Sequence, residues 1–146
     1  MQPTSPNRCP QAVWDARYAE EDDTAFSWTE PEDSLSLDWI TETVNHSARI
    51  ADVGAGRSRL IDQLFARDYR QLTHVEWSAA SSRDVRNRFG SQAVDVNWVI
   101  GDVCAWDPQY QVDLCHDRAV FHFQIDPSAK RRYLQTLHKI VAPGGY

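Results

Sequence analysis

The chain has 146 residues, enough for one domain with a buried core, and its 42% hydrophobic and 25% charged residues with six tryptophans exclude a disordered polymer. A net charge of -6 excludes bulk adhesion to nucleic acid or an anionic membrane, which needs clustered Lys and Arg. Cys9, Cys104 and Cys115 are odd in number and widely spaced, so they form neither a disulfide framework nor a zinc site and suit a reducing cytoplasm.

Met1–Pro10 carries three prolines among polar residues and reads as a disordered arm, leaving 11–146 as the folded domain. Gln11–Glu21 has helical spacing, with Val13, Trp14 and Tyr18 on one face. Asp22–Pro31 reads as a loop around Phe26 and Trp28. Glu32–Asn45 then carries a helical stripe of Leu35, Trp39, Ile40 and Val44. No stretch is apolar over the length needed to span a bilayer, so no membrane partner is expected.

From Ser47 the period alternates. Ser47–Val53, Leu72–Trp77 and Val94–Ile100 read as strands, and Val112–Cys115 starts a short fourth that extends toward Asp117. Between them, Ser58–Tyr69 reads as a helix with Leu60, Ile61, Leu64 and Phe65 inward. Ser78–Phe89 reads as a helix capped by Ser78. Asp126-Pro127 places an N-cap before Pro at the first helical position. The helix it opens runs to about Val141, with Tyr133, Leu134, Leu137 and Val141 on one face, and Pro143-Gly144-Gly145 ends it. Strands alternating with helices predict an α/β fold: a three-layer, Rossmann-like open parallel sheet with helices on both faces. Ligands of such sheets sit beyond the carboxyl ends of the strands, so the residues following each strand are the candidates.

Asp52-Val53-Gly54-Ala55-Gly56 ends the first strand. Glycines there let backbone N–H groups and a helix N-terminus approach a ligand. Glu76 ends the second strand, where a carboxylate accepts both hydroxyls of a ribose; its alternative role is a solvated charge. Trp77 beside it, like Trp106, offers an aromatic face to a cationic ligand or packs in the core. Gly101-Asp102-Val103 follows the third strand. Asp102 and the Val103 N–H could meet an adenine edge, or the segment is a simple Gly-Asp turn. His116-Asp117-Arg118 follows the fourth strand. Asp117 could orient or deprotonate a nucleophile, while His116 and His122 are either bases or packed, hydrogen-bonded side chains. Arg118 has an ion pair with Asp117 as its simpler reading. The His spacing matches no metal-ligand pattern, and no metal is expected.

A dinucleotide fingerprint needs a third glycine where Arg59 stands, and no G-K-[ST] phosphate loop occurs. An adenosine site without a pyrophosphate pocket remains, which suits S-adenosylmethionine (SAM), whose positive sulfonium favours nearby acids. The ordered set Asp52-Val53-Gly54-Ala55-Gly56, Glu76, Gly101-Asp102 and His116-Asp117-Arg118-Ala119-Val120-Phe121-His122-Phe123 resembles class I, seven-strand SAM-dependent methyltransferases. Trp14-Asp15-Ala16-Arg17-Tyr18, Ser27-Trp28 and Pro143-Gly144-Gly145 resemble one bacterial branch of them.

The resemblance implies that Asp52, Gly54, Ala55 and Gly56 border the methionine part of the cofactor, Glu76 the ribose, and Asp102 with Val103 the adenine. It also implies that Asp117 faces the sulfonium and the acceptor. Glu76 replaces the commoner Asp, and Ser58 stands where many members have Gly. The implied activity is methyl transfer by in-line displacement to a small-molecule or protein acceptor. A non-catalytic binding module and, behind it, a nicotinamide-dependent oxidoreductase are the alternatives. The family continues past Pro-Gly-Gly into further strands, so the expectation is a C-terminally truncated fragment with strands 1–4 present and 5–7 missing. Its fourth strand would then be an uncovered edge. Nothing in the sequence reports the oligomeric state.

Overall fold

Strand β1 (Arg49–Val53) is buried from its second residue onward, as in a central parallel strand covered on both faces. The computed structural model describes residues 11–20, 22 and 34–146; the expected arm 1–10, Cys9 and the loop around Phe26 and Trp28 lie outside the described residues. Strands β2 (Gln71–Glu76) and β4 (Leu114–Asp117) flank β1 in parallel, and β3 (Asn97–Ile100) lies outside β2, giving the order β3-β2-β1-β4. The register sets Asp52 between His74 on β2 and His116 on β4.

The helices are α1 (Gln11–Glu20), α2 (Leu35–Thr43), α3 (Leu60–Ala66), α4 (Ala79–Phe89) and α5 (Pro127–Ile140). Leu37 and Ile40 of α2 and Leu60, Ile61 and Leu64 of α3 pack with Ile50, Leu72 and Leu114 in one core. Tyr133 of α5 packs with Ala51, Val53 and Val75 in the other. Helices therefore cover both faces of a parallel sheet, the expected α/β architecture.

Ser34, Ser78 and Asp126 cap α2, α4 and α5, each side chain accepting from a backbone N–H three residues on. Asp126 is half-buried, and its bonds from Ser128 and Ala129 hold its carboxyl below the usual 3.8. A depressed acid stabilises the fold above its unfolded value and loses that contribution as pH falls through the folded one. Wild type should therefore lose melting temperature below pH 3.8 relative to Asp126→Asn, whose cap does not titrate. Paired thermal melts above and below that pH would check this.

Several local expectations change. The stretch from Gly90 to Asp95 is a 3-10 helix rather than strand, leaving Val94 87% exposed and delaying β3 to Asn97. On α2 the buried face is Leu37 and Ile40, while Leu35 and Trp39 face solvent. On α5 the buried face is Ala129, Tyr133, Thr136 and Ile140, and Leu134 faces solvent. Val13 of α1 is exposed as well. In each case more than one stripe satisfies helical spacing, and contact with the sheet selects among them. The outer edge of β4 is also partly covered. Val141 bridges Val112 in parallel, the Tyr146 N–H donates to the Asp113 carbonyl (3.0 Å), and the Cys115 N–H donates to the Tyr146 carbonyl (2.8 Å). Among the described residues no helix is long and apolar enough to cross a membrane.

Candidate cofactor cleft

From β1 the chain moves outward through β2 to β3, then returns to β4 on the opposite side of β1. The carboxyl ends beside that reversal open onto a cleft. Gly54, Glu76, Trp77, Asp102 and Val103, all expected from the sequence, lie on its wall. Asp52, Ala55, Gly56, His116 and Asp117 stand at the same strand ends but are not among the residues that line it.

The glycine turn is stitched to β2 by the Gly54 and Ala55 N–H groups, which donate to the Val75 carbonyl at 2.8 and 3.3 Å. Gly54 and Gly56 both adopt left-handed backbone, with φ of 64° and 52°. A Cβ on Gly54 would sit 1.9 Å from Cγ2 of Val120, and one on Gly56 would sit 2.4 Å from the Tyr18 hydroxyl. Arg88 of α4 grips the turn from below. Its guanidinium donates to both carboxylate oxygens of Asp62 (2.8 and 2.6 Å) and to the Ser58 carbonyl (2.7 Å).

Glu76 is buried at the end of β2. Its Oε2 accepts from the Gly56 N–H at 2.7 Å and its Oε1 from the Ser78 N–H at 2.8 Å. Burial pushes its carboxyl above the usual 4.5, against the pull of those amides. Asp102 caps the short 3-10 turn Val103–Ala105, its Oδ1 accepting from the Cys104 N–H at 2.9 Å. The Gly-Asp turn and a cleft-facing acid are thus the same residue. Trp77 is half-buried on the wall, whereas Trp106 packs against the α5 core.

The residues after β4 do something the sequence did not reveal. Both oxygens of Asp117 accept backbone N–H groups, from Val120 (2.9 Å) and Phe121 (3.2 Å), and Oδ2 also accepts the Tyr133 hydroxyl. Burial and that carboxylate push the Tyr133 phenol up, so it stays a neutral donor. The turn they hold puts Ala119 in left-handed backbone (φ 82°) on the cleft wall. His116 bridges two elements: Nδ1 lies 2.8 Å from Asp52 Oδ1 and Nε2 lies 3.0 Å from Ser36 Oγ. Asp52 is buried and its other oxygen has no hydrogen-bond partner. Removing the imidazole strands the whole carboxylate, so His116→Ala should cost about 2 kcal/mol, read by urea unfolding.

Sequence reasoning missed the far side of the cleft, formed by Trp14 and Tyr18 of α1 with Val120, Phe123 and Gln124 after β4. Trp14 reads from the sequence as a helix-face residue, and in the fold its ring meets that of Phe123 edge to face, with centroids 5.3 Å apart. His122 is exposed and stacks on Phe123. Among the described residues no group of His, Cys, Asp and Glu is arranged to hold a metal.

A doubly wound parallel sheet with a glycine turn after its first strand and acids after its second and third defines a Rossmann-like fold of the class I methyltransferase type. The family model for a methyltransferase domain matches residues 50–145, and the chain belongs to that family, whose cofactor is S-adenosylmethionine. Its fold is similar to a SAM-dependent methyltransferase from Thiobacillus denitrificans in complex with S-adenosyl-L-homocysteine, with TM-score 0.65, 16% identity, and 94% of this chain on 54% of that one. It is similar to Burkholderia thailandensis 1,6-didemethyltoxoflavin-N1-methyltransferase, with TM-score 0.68, 21% identity, and 92% on 57%. The CcbJ methyltransferase from Streptomyces caelestis aligns with TM-score 0.73, 13% identity, and 94% on 56%. The chain thus spans little more than half the length of these structures. No curated protein matches the sequence.

Proposed function

We propose that the chain carries the cofactor-binding half of a SAM-dependent methyltransferase that methylates a small-molecule or protein acceptor. The observation that carries this reading is Glu76: a buried carboxylate on the cleft wall at the end of β2, tied through Gly56 to a glycine turn that a Cβ would block. That cradle offers a carboxylate to a ribose, beside a turn whose glycines let Val120 and Tyr18 close against the backbone.

In this reading Glu76 accepts the ribose hydroxyls, and Asp102 with the Val103 N–H meets the adenine. Asp52, Gly54, Ala55 and Gly56 border the methionine part, and Trp77 offers its face to the cationic ligand. When bound, SAM supplies a methyl carbon whose bond to sulfur breaks, the pair leaving with sulfur, as the acceptor's lone pair bonds to it. Asp117 serves the acceptor by fixing the turn that carries Ala119 and Val120, and His116 serves by fixing Asp52. Alignment and exclusion of water then do most of the chemistry. The odd number and wide spacing of Cys9, Cys104 and Cys115 support a reducing compartment, the cytoplasm.

Calorimetry with S-adenosylhomocysteine and with NAD tests the reading. Binding of the former alone is expected, and preference for NAD would overturn it. One observation favours a non-catalytic module instead: both oxygens of Asp117 are spent on the fold. Tight binding of SAM with no methylation across a broad acceptor screen would establish that alternative.

A further inference from the structure

The two ends of the cleft differ in chemistry. Asp102 follows β3 and Gln124 lies beyond β4, strands at opposite edges of the four-stranded sheet and three strand spacings, about 14 Å, apart. The Asp102 end holds the acids. The Gln124 end is walled by the rings of Trp14, Tyr18 and Phe123 with the aliphatic side chain of Val120, and Arg118 also lines the cleft. Gln124 is only 6% exposed, yet its side-chain carbonyl oxygen, Oε1, has no hydrogen-bond partner. A buried amide oxygen left unpaired is costly, and a ligand donor would relieve that cost.

Resting on the methyltransferase reading, we propose that Gln124 selects the methyl acceptor: a flat, aromatic molecule bearing an N–H or O–H that donates to the Gln124 amide while its ring lies against Trp14 and Phe123. The aromatic walls supply area without directional demand, so the amide is the group that sets the orientation. An acceptor without a donor would fill the same space and leave Oε1 unpaired, which is how a polar site rejects an isostere.

The test uses the 146-residue chain saturated with S-adenosylhomocysteine, with indole and N-methylindole as probes titrated by NMR. Indole should bind tighter than N-methylindole by about tenfold, since only indole donates. Gln124→Met keeps the volume and removes the oxygen, so it should abolish that preference while leaving S-adenosylhomocysteine affinity unchanged. Gln124→Glu keeps an acceptor oxygen and should retain the preference, which a purely structural glutamine would not do. Equal binding of the two probes to wild type would overturn the proposal. So would a loss of S-adenosylhomocysteine affinity in Gln124→Met, because the amide would then belong to the cofactor. Failure of wild type to bind S-adenosylhomocysteine at all would sink the methyltransferase reading, and the indole comparison on the unliganded chain would still report on Gln124.

Discussion

Glu76→Ala is expected to lower S-adenosylhomocysteine affinity by about 100-fold or more and to destabilise the chain by about 2–4 kcal/mol. Both losses have one source. The carboxylate binds the Gly56 and Ser78 N–H groups, so truncation strands two amides inside the wall and removes one of the ties between the glycine turn and β2. The affinity loss adds the missing ribose partner to that loosening. Glu76→Gln separates the contributions, because its carbonyl satisfies one amide while its NH₂ opposes the other. Calorimetry and urea unfolding of the two variants would measure them. Unchanged affinity in Glu76→Ala would remove the basis of the functional reading.

The same residue sets a pH dependence. Burial raises the Glu76 carboxyl above its unfolded value of 4.5. A group raised on folding contributes stability that is complete below its unfolded value and lost as pH rises through the folded one. Compared with the non-titrating Glu76→Gln, wild type should therefore gain relative stability on acidification toward pH 4.5.

Gly54→Ala carries the second large effect, a loss of about tenfold or more in S-adenosylhomocysteine affinity. The new Cβ falls 1.9 Å from Val120 Cγ2 while the backbone is held at φ 64°. Valine is branched at Cβ and has few ways to move aside, so the turn after β4 must shift with it. Removing Cγ2 should relieve the collision: Gly54→Ala with Val120→Ala should recover part of the affinity, with the left-handed strain left behind. Gly56→Ala meets the hydroxyl of Tyr18 instead, the tip of a longer side chain. If the double variant binds no better than Gly54→Ala alone, the contact between the two loops is not what the glycine protects.

The wall residues most easily read from the chain were those whose role is local. Gly54 and Glu76 stand at strand ends, and strand ends follow from period and composition within a short window. Asp126 and Ser78 were legible as caps for the same reason, because a cap acts within its own helical turn. Asp102 illustrates the boundary. Its turn was readable, but its membership of the same cleft as Trp14 depends on the strand order.

Residues acting across the sheet were not legible. His116 reads from the sequence as either a base or a packed, hydrogen-bonded side chain, and only the register shows that its partners are Asp52 and Ser36, 64 and 80 positions away. Asp117 looked like an acceptor-facing acid, and the turn after β4 with Tyr133 takes up its oxygens. Leu35, Trp39 and Leu134 obey helical spacing as well as their buried neighbours do, yet the sheet receives a different stripe.

The alternation of strand and helix, the glycine turn, the caps and the acids at strand ends were written in the chain itself, since each rests on backbone freedom or on partners a few residues away. Which face of a helix is buried, which acid lines the cleft and which supports it, and that Gln124 is left without a partner were settled only by the packed fold. Those outcomes are pairings between distant segments, decided by which surfaces the parallel sheet brings together and how much water it drives out.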